Sequence, residues 1–395
     1  MILLALGASN YQVPTILKAK SLGHTVITSD NVPDNPGHKL ASISYNVDTT
    51  DIRAITEIAI KEKVDGAISP ATDVSVPTAA SVSESLNLPG PPLASALIMT
   101  DKAKFRDFLD KNNLPTPRSY PFWEPIFPGQ CPMDSGPWII KPNRSSGSKG
   151  VFRISNTEEF NLHALDSLGY SLDKSAVLEQ YISGSQHTGE GIIKNGVVKT
   201  LLITDRFTAP SPYVATWAHK VPTFLAKNEQ ANIIGFLNRL LALLRLKDGP
   251  FDCDFVVTSH GEVYILEISP RIGGNSLSTL FDTALEGDLL SYAVSYALGV
   301  KNWEITALPE PKPVAVVLLG VMTAGRAVWD ERAEHALSKL PGVLSFTMDI
   351  MQGDEIGPFI NGRGRLGELL LIAENRQKLD ELHKKAIGIL NLKAI

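Results

Sequence analysis

The amino-terminal part of the chain alternates short apolar runs with segments of helical periodicity. The apolar runs cover residues 2–6, 25–30 and 66–69. The first helical pattern ends near residue 22, and the other two cover 51–62 and 74–86. Strands that alternate with helices pair in parallel, because each helix returns the chain to the same end of the sheet. The pattern predicts an α/β domain with a parallel sheet, which the three prolines within 88–95 bring to an end.

The remaining chain is long enough for further domains, since 395 residues indicate two or three. We expect boundaries that give domains over 1–95, 96–308 and 309–395. Strands at 138–141, 151–154 and 176–182 surround a helix opened by the capping-box-like sequence SNTEEF. They predict a small α+β subdomain over about 136–185. Hairpins on either side of a helix at 229–245 follow, the first with Asn195-Gly196 at its tip.

Composition excludes several classes of protein. The 37 basic and 42 acidic residues give a net charge of -5 without basic blocks, unlike a nucleic-acid-binding protein. No stretch approaches the roughly 18 apolar residues of a membrane span. Two cysteines provide neither a disulfide framework nor a zinc-binding pattern. We therefore expect a cytoplasmic protein with small-molecule partners, no nucleic acid and no membrane.

The first candidate ligand loop is GASNYQVP at 7–14, between a strand and a helix. Exposed backbone N–H groups at such a helix start can hold an anion. The loop lacks the second and third glycines of the GxGxxG dinucleotide fingerprint. An ordinary turn, a small-substrate site and a nicotinamide site all remain open, and the last has the weakest support.

The second candidate is WIIKPNRSSGSKGV at 138–151, in which a lysine ends an apolar strand before a flexible loop. Backbone amides of such a loop can wrap a triphosphate while the ammonium group neutralises its charge. A solvated hairpin turn would not explain the position of the lysine. The candidate residues are Lys141, Ser145, Ser146, Gly147, Ser148 and Gly150.

The third candidate is the hairpin at 249–275. Because side chains alternate along a strand, Asp252 and Asp254 share one face, as do Glu267 and Ser269 on the partner strand, while Cys253 faces the core. Facing acids on adjacent strands repel each other unless a cation lies between them, and Mg²⁺ prefers one or two carboxylates plus phosphate oxygens. A surface hairpin with solvated acids is the alternative.

Other candidates lie around this hairpin. Arg271 follows it directly and offers a fixed cation, and Gly273 and Gly274 allow close backbone approach. Asp73 follows a predicted parallel strand at the end where α/β sheets bind ligands. His219 in WAHKVP is a further candidate for substrate recognition, although a lone histidine is more often structural.

Four segments in order resemble the ATP-grasp superfamily of carboxylate-amine ligases: TDKAKF, IIKPNRSSGSKGV, LEQYISG and the hairpin that ends in EISPR. The stretch from TDRF to YVATWAHKVPTFL is similar to the branch with L-amino acid ligases, purine-pathway ligases and biotin carboxylase-like enzymes. EISPR resembles the formate-dependent glycinamide ribonucleotide transformylase. The resemblance implies an ATP-grasp fold of mixed α/β and α+β class, with a Rossmann-like amino-terminal domain and a carboxyl-terminal region that completes the catalytic domain.

The resemblance also implies roles for individual residues. Lys102 and Lys141 would bind phosphates beneath the loop at 145–150, and Arg271 would contact an acyl phosphate. The adenine hinge would comprise Glu179, Gln180, Tyr181 and Ile182. Gln186 stands where many relatives have a ribose-binding glutamate, and Ser269 stands where many have asparagine after the metal ligands Asp254 and Glu267.

The implied chemistry is ATP-dependent activation of a carboxylate as an acyl phosphate, followed by coupling to an amine with release of ADP and phosphate. Its cofactors would be ATP and Mg²⁺, or Mn²⁺, and its catalytic residues Lys141 and Arg271. Related enzymes suggest a homodimer. An NAD-type oxidoreductase, suggested by the β-α-β opening, and a non-catalytic ATP-binding regulatory protein are the alternatives.

Overall fold

The computed structural model describes residues 1–129, 131–133, 136–300 and 309–395. The boundary predicted between 308 and 309 lies at the edge of residues 301–308, which are outside the described residues. No helix in the described part of the chain is both long enough and apolar enough to cross a bilayer.

The amino-terminal domain contains the predicted parallel sheet, with strand order β3-β2-β1-β4. Its elements are β1 (Ile2–Leu6), α1 (Val13–Ser21), β2 (Thr25–Ser29), α2 (Pro36–Leu40), β3 (Ile43–Tyr45), α3 (Ile52–Glu62), β4 (Gly66–Ile68) and α4 (Val76–Ser85). Strands β1 and β4 end side by side, so the loops that follow them open at the same edge of the sheet. The short elements α2 and β3 were not predicted.

A small antiparallel sheet of order β5-β8-β6-β7 forms the next unit. The elements of this part are α5 (Leu93–Met99), α6 (Lys102–Lys111), β5 (Ser119–Phe122), β6 (Trp138–Pro142), β7 (Phe152–Ile154), α7 (Thr157–Tyr170) and β8 (Ala176–Gln180). Trp138, Ile140 and Phe160 are fully buried between sheet and helix. Strand β8 ends at Gln180, two residues before the prediction, which leaves Tyr181 and Ile182 in the connection to the next sheet.

The largest sheet has eight antiparallel strands in the order β13-β12-β9-β10-β11-β14-β18-β16. Its first part comprises β9 (Ser185–Lys194), β10 (Val197–Thr208), β11 (Thr216–Val221), α8 (Lys227–Leu243), β12 (Gly249–Val257), β13 (Val263–Ser269), α9 (Leu277–Leu285) and α10 (Leu289–Ala297). Asn195 and Gly196 form the predicted two-residue turn, and both have positive φ.

The carboxyl-terminal region extends the same sheet, because β14 pairs with β11. Its elements are β14 (Val314–Leu319), β15 (Gly325–Val328), α11 (Ala333–Ser338), β16 (Val343–Met348), β17 (Glu355–Ile356), β18 (Gly367–Ile372), α12 (Arg376–Leu390) and β19 (Lys393–Ala394). Strands β15, β17 and β19 form a separate small sheet. Helix α12 begins after Asn375, whose side chain accepts a hydrogen bond from the Lys378 amide.

Strand β12 positions the site by its alternation. Phe251, Cys253 and Phe255 are almost completely buried in a core that includes Leu237 of α8. The intervening aspartates must therefore project from the opposite face of the sheet. The prediction that Cys253 faces the core is confirmed.

Candidate active site

Two adjoining cavities lie along the exposed face of the β12-β13 hairpin. The smaller one lies between the small sheet and the large sheet, and most residues predicted to bind nucleotide line it. They are Lys102, Lys141, Ser145, Ser146, Gly147, Ser148, Glu179, Gln180, Tyr181, Ile182 and Gln186, together with Asp254 and Glu267. The fold thus brings together segments that are far apart in sequence.

Gly150 is an exception, because it is buried beside the cavity and does not line it. Its φ is +68°, and a Cβ there would lie 2.9 Å from the Tyr170 ring. Its carbonyl accepts a hydrogen bond from the Ser167 hydroxyl. Gly150 therefore anchors the end of the loop that Ser145 begins.

Apolar side chains from both sheets form the walls of this smaller cavity. Ile139 and Val151 come from the small-sheet side, and Val256 and Leu266 come from β12 and β13. A slot with apolar faces and a polar rim suits a planar heterocyclic base.

A buried ion cluster closes one side of the smaller cavity. The Glu179 carboxylate lies 3.0 Å from Arg106 Nε and 2.7 Å from Lys141 Nζ. Burial alone would raise the pKa of Glu179, but Arg106 and Lys141 together lower it. Both carboxylate oxygens are therefore engaged, and the predicted contact of this side chain with adenine stays a prediction.

Burial lowers the pKa of Lys141 to about 8, although Glu179 opposes the shift. A bound triphosphate favours the protonated amine, so ATP affinity should weaken as the pH rises through 8 and Lys141 loses its charge. We expect Lys141→Arg to abolish this decline, because a guanidinium group stays protonated throughout the range. Equilibrium binding of an ATP analogue from pH 7 to 9.5 tests the prediction. The exposed Lys111→Arg variant should retain the decline, and an unchanged decline in Lys141→Arg would contradict the assignment.

The two predicted metal ligands face each other directly, since Asp254 pairs in register with Glu267. Arg206 Nη1 lies 3.0 Å from Asp254, and Lys102 Nζ lies 3.3 Å from Glu267. The Thr188 hydroxyl also donates a 2.5 Å hydrogen bond to Asp254. Both carboxylates remain about a third exposed, so their remaining oxygen lone pairs face the cavities.

This donor set fits Mg²⁺. Within the described ranges, no three His, Cys, Asp or Glu side chains converge as a self-sufficient metal cage. Mg²⁺ is usually held by one or two carboxylates and completes its shell with waters and substrate phosphates. Asp254 and Glu267 supply that pair at the junction of the cavities.

Ser269 differs from the other predicted ligands. It is almost completely buried and lines neither cavity, and its hydroxyl has no hydrogen-bond partner among the described residues. Strand β13 places it opposite Asp252. Its role as a metal ligand stays a prediction.

Arg271 is held by two acids. Its guanidinium lies 2.6 Å from Asp73 and 2.8 Å from Asp252. Burial opposes the charge on Arg271, but the two carboxylates more than offset it and raise its pKa. Arg271, predicted to contact an acyl phosphate, and Asp73, predicted to contact substrate, thus form one buried unit at the wall of the larger cavity. Strand β12 and the loop after β4 together position this unit.

The loop after Arg271 is fixed by Glu190, which sequence analysis did not identify. The Gly273 amide donates to both Glu190 carboxylate oxygens, at 2.9 and 3.1 Å. Burial and the nearby Asp252 raise the pKa of Glu190 well above its usual value. Gly273 therefore positions the loop from beneath, whereas Gly274 lines the larger cavity.

We expect Gly273→Ala to disturb this loop strongly. A Cβ at Gly273 would lie 2.4 Å from the Glu190 carboxylate, while one at Gly274 would lie no closer than 3.6 Å to Ala71. Overpacking of this kind costs about 1–3 kcal/mol. The unfolding temperature and the rate of ATP turnover of Gly273→Ala should both fall. Gly274→Ala is the matched control for the unfolding temperature. Equal unfolding temperatures in the two variants would contradict the arrangement.

The larger cavity, of about 410 Å³, adjoins the amino-terminal domain and is lined by Gly7, Gln12, Asp73 and Arg271, among others. The Gln12 side chain folds beneath Gly7 and accepts a hydrogen bond from the Ser9 amide. The interior of the loop at 7–14 is thus filled by its own glutamine, which favours the small-substrate interpretation over a dinucleotide site.

The serine- and glycine-rich loop covers both cavities. Ser146, Gly147, Ser148 and Lys149 line each of them. The Gly362 amide donates a 2.9 Å hydrogen bond to the Gly147 carbonyl, which ties the loop to the carboxyl-terminal region. His219 also lines the larger cavity, close to the charged groups of Arg206 and Asp254.

Arg206 and Arg106 are two further charged residues of the site that sequence analysis missed. Arg206 lines both cavities, and Arg106 lies behind Glu179. The TDRF segment contains Arg206, so a signal was present, whereas nothing in the sequence of α6 distinguishes Arg106 from a surface arginine.

The ATP-grasp domain family matches residues 135–279 of the chain. The chain contains an ATP-grasp domain. Its fold is similar to that of L-amino acid ligase from Bacillus licheniformis, with a TM-score of 0.85 and 18% identity over 100% of this chain and 98% of that chain. The ATP-grasp fold and the predicted resemblance are thus confirmed.

The curated relatives of the chain are distant in sequence. Formate-dependent phosphoribosylglycinamide formyltransferase from Salmonella typhimurium is 25% identical over 98% of this chain and 95% of its own length. Carnosine synthase 1 from Mus musculus is 23% identical over 81% of this chain, which spans only 42% of that protein.

Proposed function

We propose that this ATP-grasp protein is an ATP-dependent carboxylate-amine ligase. One observation carries the proposal: the loop at 146–149, Arg206, Asp254 and Glu267 line both the nucleotide-type cavity and the larger polar cavity. A phosphoryl group passed from one cavity to the other would meet cations, loop amides and metal-binding carboxylates at their junction. Phosphoryl transfer depends mainly on such positioning and charge stabilisation.

The residues of the two cavities have separate roles in this reaction. Lys102 and Lys141 neutralise the triphosphate, and the loop amides exclude water from it. Mg²⁺ held by Asp254 and Glu267 supplies further neutralisation of the phosphate charge when it is bound. Arg271, fixed by Asp73 and Asp252, is a preoriented cation at the wall of the larger cavity.

The reaction has two steps. A carboxylate oxygen of the substrate attacks the γ-phosphorus of ATP, which forms an acyl phosphate and releases ADP. The amine nitrogen then adds to the acyl carbon, and the tetrahedral intermediate expels phosphate while the nitrogen loses a proton. Arg271 stabilises the oxyanion of that intermediate, and no covalent enzyme intermediate is needed.

The predicted partners are a small-molecule carboxylate and a small-molecule amine. The likeness to an L-amino acid ligase and the relationship to carnosine synthase support amino acids as the first class to test. The homodimer and the cytoplasmic location stay predictions. The Gln12-filled opening loop does not favour NAD, and the intact set of lysines and acids does not favour a non-catalytic regulator.

An ADP-release screen over pairs of carboxylates and amines tests the proposal. We expect release that requires MgATP and a free carboxylate, and hydroxamate formation when hydroxylamine replaces the amine. Tight binding of NAD(H) with ATP untouched across the panel would favour the oxidoreductase instead. Nucleotide binding without turnover across the panel would favour the regulatory protein.

A further inference from the structure

His219 is a buried residue at the wall of the larger cavity. It lies on β11, is 2% exposed, and lines the cavity with Thr216, Arg206 and Asp254. Its Nδ1 lies 3.0 Å from the Thr204 hydroxyl. Its Nε2 is buried and has no hydrogen-bond partner in the described part of the chain.

The hydrogen bonds of Thr204 favour one tautomer of the His219 ring. The Thr204 hydroxyl has a single proton and lies 3.3 Å from the Thr188 carbonyl, to which it can donate. All three groups are satisfied when the hydroxyl donates there and accepts from the Nδ1–H of His219 at 3.0 Å. Burial, reinforced by Arg206, lowers the pKa of His219 to about 3, so the ring is neutral. Its Nε2 is consequently a bare acceptor.

Each carboxylate that lines the same cavity has a cationic or amide partner. Asp73 and Asp252 pair with Arg271. Asp254 pairs with Arg206 and Thr188, and Glu267 pairs with Lys102. Asp30 accepts hydrogen bonds from the backbone amides of Ala8 and Val32. His219 Nε2 differs from these acids, because it is an uncharged nitrogen with no hydrogen-bond partner among the described residues. A buried polar atom without a partner is costly, which favours a ligand at this position.

We infer, on the basis of the proposed ligase function, that His219 Nε2 accepts a hydrogen bond from the attacking amine and so binds the amine substrate. An attacking amine must be neutral, because its lone pair forms the new bond. An adjacent free carboxylate would favour the unreactive ammonium form, whereas a neutral imidazole nitrogen holds an N–H group without doing so. His219 thus binds and orients the nucleophile and does not deprotonate it.

The test measures KM values separately for each substrate. Hydroxylamine is the amine probe, and the carboxylate is the free amino acid that gives the most ADP release with wild type. His219→Leu should raise the KM for hydroxylamine roughly tenfold to a hundredfold, as expected for an unpaired N–H group. KM values for ATP and the amino acid should change less than threefold. His219→Gln, which retains an acceptor, should recover part of the loss, and the exposed His335→Leu variant should match wild type.

Two outcomes would overturn the inference: an unchanged KM for hydroxylamine in His219→Leu, or equal increases in all three KM values. If His219→Leu does not fold, long-range proton–nitrogen NMR of histidine-labelled wild type decides. We expect His219 to be the Nδ1–H tautomer without titration between pH 5.5 and 8, and the Nε2–H tautomer would overturn the inference. Failure of wild type to release ADP with any carboxylate would instead overturn the proposed ligase function.

Discussion

Glu267→Gln should lower kcat by about a hundredfold or more while the fold stays intact. The substitution removes one of the two facing carboxylates at the junction of the cavities and the ion pair with Lys102. Loss of a principal electrostatic contact to a transferring phosphoryl group costs about 10²–10³ in kcat. Turnover at saturating MgATP measures the loss, and circular dichroism checks the fold.

The control for Glu267→Gln lies in the same hairpin. Glu262→Gln makes the identical chemical change at an exposed position of the β12-β13 turn and should leave kcat near that of wild type. Raised Mg²⁺ should restore part of the activity of Glu267→Gln, because a weakened ligand set is filled at higher metal concentration. Turnover within threefold of wild type at ordinary Mg²⁺ would contradict the role of Glu267 as a metal ligand.

Glu179→Gln should destabilise the protein in the absence of nucleotide by about 3–5 kcal/mol, the usual cost of removing one partner from a buried ion pair. Its carboxylate is only 3% exposed and balances both Arg106 and Lys141, so the variant leaves two buried cations together. Urea denaturation monitored by tryptophan fluorescence measures the change. Trp138 reports on the small sheet, because it lies on β6 next to β8.

Glu57→Gln provides the comparison. Glu57 also pairs with an arginine, at 3.1 Å, but its side chain is 66% exposed. Exposed pairs of this kind contribute little to stability. The urea midpoint of Glu57→Gln should therefore stay close to that of wild type. An equally small change in Glu179→Gln would show that the cluster around Arg106 is not balanced by Glu179.

Local alternation made the acidic hairpin predictable. Asp252, Cys253 and Asp254 occupy successive positions of one strand, so their faces follow from the period of two alone. Two short elements in proline-containing segments were not predicted. Helix α5 begins directly after Pro92, and β5 contains Pro121 at the edge of its sheet. Proline is tolerated at both kinds of position, so it ended neither element.

The pairings across the site could not be derived from local patterns. Arg106 and Glu179 are 73 residues apart, and Glu190 meets the Gly273 amide across 83 residues. Whether such a charge is buried depends on which strands become neighbours in the sheets, and no periodicity in the sequence encodes that. For the same reason Arg271 and Asp73 appeared as separate candidates, although they form one ion pair.

Transfer of a carboxylate oxygen to phosphate distinguishes an acyl phosphate from other activated intermediates. Wild type is incubated with MgATP, hydroxylamine and the active carboxylate labelled with ¹⁸O in both oxygens. Formation of an acyl phosphate predicts ADP and inorganic phosphate that carries one ¹⁸O atom per turnover, because the carboxylate oxygen bonds to phosphorus before the amine displaces it. Unlabelled phosphate, or AMP that carries the label, would exclude an acyl phosphate intermediate.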